Sequence, residues 1–480
     1  MNSMSNRLRA LLCAMPLAAG GCVPSVQLET APTIQSPSWS NHAEAPAASA
    51  ALPISAATPS LGVALRSAEL DRLIQRALAA NAEGAAARAR IRQARALLAN
   101  ARGSMLPVVS ASAGLSGSRT TPHRTGDPFN FSEAFAGLDI GFDLDLFGAG
   151  RAERRAARAR LGAAEFDSEA IRIAIQCDVA RAYVQRAALA ARLALLDQNL
   201  GLARELERIL RARVQAGDAT QVDLGLQMIQ VRQLGTDRTR LDESLDRTRT
   251  ALAVLLGEEA PSFASAPAPL DSLTVPTLAL IQPRDLLSHR PDIRAAEARI
   301  QAAGGDVQQA RAAFFPRISL SASALGQAAS LAGPLGTTLS LGSSLMAPIF
   351  NRGRLRANLE LMGARQVESV ELYRQNLLTA LAEVENGLSA VDHARAREAL
   401  LTEIVEEARQ TARLARIQYL EGEADLQRLF DAQQRLSEAE DARAVVAQER
   451  LEAAINLFQS LGGTSASSSQ ANAEMPGSPA

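Results

Sequence analysis

The stretch from Arg290 to Gly326 constrains the fold of this chain more than any other. Ile293, Ala296, Ile300, Ala303, Val307, Ala310 and Phe314 recur at alternating steps of three and four, the narrow apolar seam of a packed helix. Pro291 suits a first helical turn, where no amide hydrogen is needed. Pro316 forbids continuation, and the period then becomes two: Ile318, Leu320, Ala322 and Ala324 alternate with Arg317, Ser319, Ser321 and Ser323. The spacing predicts a long helix that runs directly into a two-faced strand.

The same order occurs 209 positions earlier, from Ile293 back to Gly84. Gly84, Ala87, Ile91, Ala94, Leu98, Ala101 and Met105 form the seam, and Pro107 is the breaker. Val109, Ala111, Ala113 and Leu115 then alternate with Ser110, Ser112, Gly114 and Ser116. Seam, breaker and strand repeating together indicate an internal duplication.

Composition narrows the function classes. The chain has 480 residues, and an aromatic share of 3% argues against one large globular enzyme core. Its net charge of −1 leaves no basic footprint for nucleic acid, so no nucleic-acid partner is expected. Cys13, Cys22 and Cys177 have no metal-site or disulfide spacing, and the four histidines lie far apart. No nucleophile, metal or phosphate motif stands in a suitable context, so neither an enzyme nor a cofactor is expected.

In chain order, residues 1–21 read as an export signal: Arg7 and Arg9, a short apolar run, then small residues. Ala19-Gly20-Gly21-Cys22 resembles a bacterial lipoprotein cleavage site, with Ala19 where Leu is usual, so a covalent lipid on Cys22 is expected. Residues 22–66 read as an extended segment rich in Pro, Ala and Ser. The first repeat is expected over 67–257. It comprises a helix from Ser67 to Gly103, a β-hairpin over 106–147, and a long helical hairpin turning near Gly217. Residues 258–284 read as a linker. The second repeat, 285–463, has its hairpin over 316–350 and its helical tip near Gly422, and the tail 464–480 reads as disordered. On the second strand Leu138, Ile140, Phe142, Leu144 and Leu146 alternate with Asp139, Gly141, Asp143 and Asp145. On the fourth, Leu339, Leu341, Leu345 and Ile349 oppose Ser340, Gly342 and Ser344.

Strands of ~10 residues match a tilted membrane-spanning strand. Carboxylates on one strand face need water, so that face looks into an aqueous space. Only a closed barrel satisfies backbone groups in lipid, and four strands cannot close. The chain must therefore oligomerise to cross a membrane: two copies supply eight strands, three supply twelve. Phe129, Phe131, Phe135, Phe142, Phe147, Phe314, Phe315 and Phe350 cluster at the hairpins, as interfacial aromatic girdles do. The helices, ~65 residues long before the first tip, extend roughly 100 Å.

FDLDLFGAGR (142–151), LLSHRPDIRAAEARIQAA (286–303), ARAAFFPRISL (310–320), APIFNRGR (347–354) and the two glycine turns resemble the outer membrane efflux proteins, lipoprotein branch. The resemblance spans about residues 67–463. It implies a mixed α and β membrane protein, internally duplicated, giving four strands per chain to a trimeric twelve-stranded barrel continuous with a long periplasmic helical barrel. It implies a homotrimer in the outer membrane of a Gram-negative bacterium, in contact with outer-membrane lipid. It also implies docking to a periplasmic adaptor, fed by a proton-driven inner-membrane pump, for export of drugs or other toxic small molecules. Ala216, Gly217 and Asp218, with Glu421, Gly422 and Glu423, match the family's docking tips. Tyr419 and Asp223 match a Tyr–Asp pair that latches the tip in relatives. Asp431 matches one carboxylate of an acidic ring, whereas Arg428 stands where a second carboxylate is found in a relative. Two alternatives share parts of this pattern. One is an outer-membrane exit duct for protein secretion. The other is a periplasmic adaptor, which would have a single helical hairpin.

Overall fold

The computed structural model describes residues 61–120, 129–266, 268–275, 290–328 and 334–463. The export signal, Cys22, the segment to residue 60, most of the second half of the linker and the tail 464–480 lie outside the described residues.

The N-terminal elements depart from expectation. Within the segment expected to be extended, α1 (Leu61–Ala64) makes one helical turn, and Leu61 and Leu65 are fully buried. The single helix expected from Ser67 to Gly103 is two, α2 (Ala68–Ala80) and α3 (Ala82–Gly103). Asn81 divides them, with a non-helical ψ of 132°. Its Oδ1 accepts from the amides of Glu83 and Gly84, and its Nδ2 donates to the Leu255 carbonyl at 2.8 Å. The side chain thus caps α3 at its N-terminus and ties the break to another helix, so both interruptions of the backbone ladder are satisfied.

Two compact units take residues from both sequence repeats. In the first, Ile91–Ala164 and Ala295–Arg374, four strands form one antiparallel sheet in chain order: β1 (Val108–Thr120), β2 (Phe129–Leu144), β3 (Arg317–Ala328) and β4 (Gly336–Met346). β2 and β4 begin before the alternation read on them, at Phe129 and Gly336, and end before Leu146 and Ile349. The seams bury as their spacing requires. Leu98 and Ala101 of α3 pack on Ala157 of α4 (Ala149–Ala216), and Val307 and Ala310 of α6 (Pro291–Ala312) pack on Leu359 of α7 (Arg352–Glu421). α6 has a second buried stripe against α4. A Cβ on Gly305 would lie 2.9 Å from the Ala156 Cβ and 3.1 Å from the Ala152 carbonyl oxygen, so only glycine permits this approach. Arg155–Gln308, Arg160–Asp306 and Gln309–Glu153 contacts flank the crossing.

In the second unit, α4 and α5 (Gln221–Leu255) make one helical hairpin, and α7 and α8 (Leu426–Ser460) make the other. Two hairpins in one chain overturn the single-hairpin adaptor alternative. Arg238–Asp197 joins α5 to α4, and Arg409–Glu440 and Arg450–Glu398 join α8 to α7. Leu70, Ile74, Tyr183, Leu252, Ile455 and their neighbours form the largest core. Phe263, Leu270 and Leu273, in the segment read as a linker, are buried in this same core, so the described part of that segment is packed structure. Cys177 is enclosed there too, and burial pushes its thiol up to about 12. Arg290 is buried where α6 begins. Its guanidinium donates to Asp292, to Glu383 of α7 at 2.7 Å and to the Ser460 carbonyl at 2.9 Å. Burial works against its charge, but the two carboxylates outweigh it and hold its pKa above the ordinary value.

Candidate functional site

The sheet sorts its residues by face with little exception. Val109, Ile140, Ala322 and Leu341 lie in register across all four strands, as do Ala111, Leu138, Ala324 and Leu339. Between these apolar rows lie Ser110, Asp139, Ser323 and Ser340. The Ser319 hydroxyl donates to Asp143 at 2.5 Å on the same polar face. Val108, Phe135, Leu325 and Met346 depart from this on the polar face, and Ser343 departs on the apolar one. In the single chain the apolar rows are bare: Val109 is 64% exposed and Leu341 is 88% exposed. β1 and β4 each leave one edge without a strand partner among the described residues. An open, apolar, two-edged sheet of this length is unfavourable in water, whereas lipid on one face and closure at the edges satisfy it. No described helix is long and apolar enough to cross a membrane.

The helical hairpins turn at two matched sites. Gly217 and Gly422 have φ of +85° and +79°, the left-handed conformation that ends a helix. The Asp218 amide donates to the Arg213 carbonyl and the Glu423 amide to the Gln418 carbonyl, each at 2.8 Å, the same closing bond in both copies. Ala216, Gly217, Asp218, Glu421, Gly422 and Glu423 are all exposed. The return helices then begin at Thr220 and Asp425, whose side chains accept from the amides three residues on. Those amides belong to Asp223 and Arg428, which occupy equivalent positions in the two copies.

The expected bond between Tyr419 and Asp223 is absent within the chain. Asp223 is committed to a capping box: its Oδ2 accepts from the Thr220 amide at 3.1 Å and the Thr220 hydroxyl at 2.8 Å. Tyr419 is buried among Leu206, Leu210, Ala412, Ala415, Leu429 and Ala432, with the Arg213 guanidinium 5.1 Å over its ring. The Thr220-x-x-Asp223 spacing is the sequence signal for this cap. Arg428 is exposed, with its backbone amide held by Asp425 at 2.9 Å. Asp431 is exposed and accepts from Gln427 one turn back, also at 2.9 Å. Tyr419, Asp223, Arg428 and Asp431 therefore share the tip region without forming one network. No group of acidic, His or Cys side chains among the described residues is suited to a metal ion.

The model of the outer membrane efflux protein family matches the chain twice, over residues 73–258 and 282–463, one match for each repeat. The pyoverdine export outer membrane protein OpmQ of Pseudomonas aeruginosa is 34% identical over 403 residues, covering 82% of this chain and 85% of the relative. Outer membrane protein OprJ of the same species is 32% identical and covers 95% of each chain. Among solved structures, the outer-membrane channel OprN superposes with a TM-score of 0.82 at 28% identity, over 92% of this chain and 99% of that one. The MtrE outer membrane channel of Neisseria gonorrhoeae, in its open state, gives 0.78 at 25% identity, over 92% and 98%. With both repeats matched and the channel fold shared along nearly its whole length, this chain belongs to the outer membrane efflux protein family.

Proposed function

We propose that three copies of this chain close a twelve-stranded barrel in the outer membrane, and that the helical hairpins continue it as a duct through the periplasm for export of small molecules. The observation that carries this reading is the bare apolar face across all four strands, bounded by two unpaired edges. The duplication adds a second argument. Ala295, Ala298, Ala302 and Gly305 of α6 are buried, whereas their counterparts on α3, Ala86, Ala89, Gln93 and Ala96, are exposed or half-exposed. In copy two this stripe packs on α4 of the same chain. In copy one no helix among the described residues covers it, and α7 of a second chain fits this exposed stripe.

The relatives are named for pyoverdine export and for toluene and solvent efflux, which supports small organic cargo. The exposed glycine turns at the tips are the proposed docking ends for a periplasmic adaptor. That adaptor is fed by a proton-driven pump in the inner membrane. Asp223, Tyr419, Arg428 and Asp431 belong to the proposed gate, and Cys22 is the proposed site of lipid attachment. Nothing in this function asks for a cofactor. Planar-bilayer recording of the purified oligomer tests the reading. A small resting conductance is expected from the wild type and a larger one from Asp223→Ala, in which the tip capping box loses the bonds that the carboxylate accepts from Thr220. No conductance from a folded oligomer extracted from the outer membrane refutes the channel. Equal conductances leave the channel and remove Asp223 from the gate.

A further inference from the structure

A cavity of about 340 Å³ opens where the strands of the first unit end and its helices begin. By the share of volume a water takes in the liquid, it has room for about ten waters. Arg151 and Arg155 of α4, Arg311 and Gln308 of α6, and the rings of Phe147 and Phe315 line it, and no carboxylate does. The two rings stack at 4.7 Å with 9° between their planes, and both are partly exposed. Asp145 lies beside Arg151 at 3.3 Å and caps α4 through the amides of Gly150 and Arg151. The helix N-terminus is therefore already satisfied, and Asp145 offsets the charge of Arg151. Arg155 is bonded to Gln308, which holds its guanidinium at the cavity wall.

The surroundings point in the same direction. The first sixteen residues of α4 carry Arg151, Arg154, Arg155, Arg158 and Arg160 against Glu153 alone. The cavity lies three residues beyond the end of β2 at Phe147, next in sequence to the exposed apolar side chain of Leu146. Planar guanidinium groups recognise phosphate oxygens in pairs, and a stacked aromatic pair at a strand end suits the interface between acyl chains and headgroups. Nor is the arrangement a fixed requirement of the fold. In the repeat-related positions Arg155 becomes Asn358, Gln308 becomes Ala99 and Phe315 becomes Leu106.

We propose that this cavity binds the phosphate of an anionic phospholipid, held by Arg155 and Arg311, with the acyl chains running past Phe147 and Phe315 onto the apolar face of the sheet. The ligand chemistry is a phosphate group, and the source is the lipid bilayer. The inference rests on the reading that the sheet lies in the membrane. One such site belongs to each chain, at the junction of its two repeats.

The test uses the intact oligomer in detergent and native mass spectrometry, with phosphatidylglycerol as the probe. Diacylglycerol of the same chains and inorganic phosphate are the other arms. Phosphatidylglycerol is expected to bind once per chain. Arg155→Asn installs the residue that the other repeat already carries at the matching position, so folding should survive it. That change is expected to weaken binding about tenfold or more, the scale of one charge-assisted hydrogen bond. Arg158→Gln, on the same helix but not lining the cavity, should weaken binding by less than about twofold, because it removes only a distant, screened charge. Inorganic phosphate binding as tightly would make this a site for soluble anions and overturn the lipid assignment. Diacylglycerol binding equally, or Arg155→Asn without effect, would overturn the phosphate contact. If the same preparation conducts in a bilayer yet shows no phosphatidylglycerol site, this inference fails while the channel stands.

Discussion

The tip offers a measurement that separates two accounts of how it is held. In the chain, Thr220 caps α5 and the Asp223 carboxylate completes the capping box by accepting from the Thr220 amide and hydroxyl, and the Tyr419 hydroxyl does not reach it. Asp223→Ala removes two accepted hydrogen bonds and a carboxylate at a helix N-terminus, a loss of about 1 kcal/mol. Amide exchange over Gln221–Leu224 should then quicken by roughly fivefold. Asp223→Asn keeps an acceptor and should change it by only a few tenths of a kcal/mol. Tyr419→Phe retains the buried ring and the Arg213 contact, so it should shift local stability by less than about 0.5 kcal/mol. The double variant should show the sum of the two, with a coupling energy below about 0.5 kcal/mol. A direct Tyr–carboxylate hydrogen bond would instead appear as a coupling of about 1.5–3 kcal/mol. That result would refute the capping account and place a latch between Tyr419 and the Asp223 of a neighbouring copy.

Two more expectations follow from the fold. Met346 pairs with Arg317, the counterpart of Val108, so Met346 stands where Gly141 stands in copy one, and Gly141 also pairs with Ser321. The counterpart of Ser321 in β1 is Ser112, so Met346→Cys with Ser112→Cys should join neighbouring copies through a short bismaleimide. Met346→Cys with Ser118→Cys should not, and the reverse outcome would refute the register. Cys177, with its thiol pushed up to about 12, should resist alkylation at pH 8 in the folded protein and react once unfolded, as peptide mass mapping would show. The folded chain keeps this proton while the unfolded chain releases it near 9, so the thiol's contribution to stability is complete below pH 9 and falls between about 9 and 12. Labelling of native Cys177 at pH 8 would contradict its burial.

Much of this protein is legible in its sequence because the relevant forces are local or periodic. The seam of Ile293, Ala296, Ala303, Val307 and Ala310 buries as its spacing requires, and Pro316 stops the helix before β3. Alternation on β2 and β4 foretold one polar and one apolar face, since side chains on a strand point alternately to its two sides. Gly217 and Gly422 marked the tips because a left-handed turn excludes most other residues. What the sequence left open depends on contacts between distant segments. Asn81 breaks a helix because the Leu255 carbonyl, 174 positions away, takes its amide. Phe263 and Leu270 look like linker residues until the core that receives them is assembled. Tyr419 and Asp223 carry matching residue types, yet Thr220 satisfies the carboxylate first and Arg213 covers the ring. The arginine-lined cavity brings residues 147–155 to residues 308–315, a meeting set by the close approach of α6 and α4 at Gly305. Periodicity decides which face of an element is buried. Which neighbour buries it, and which polar atom reaches a partner first, is decided only when all the elements pack together.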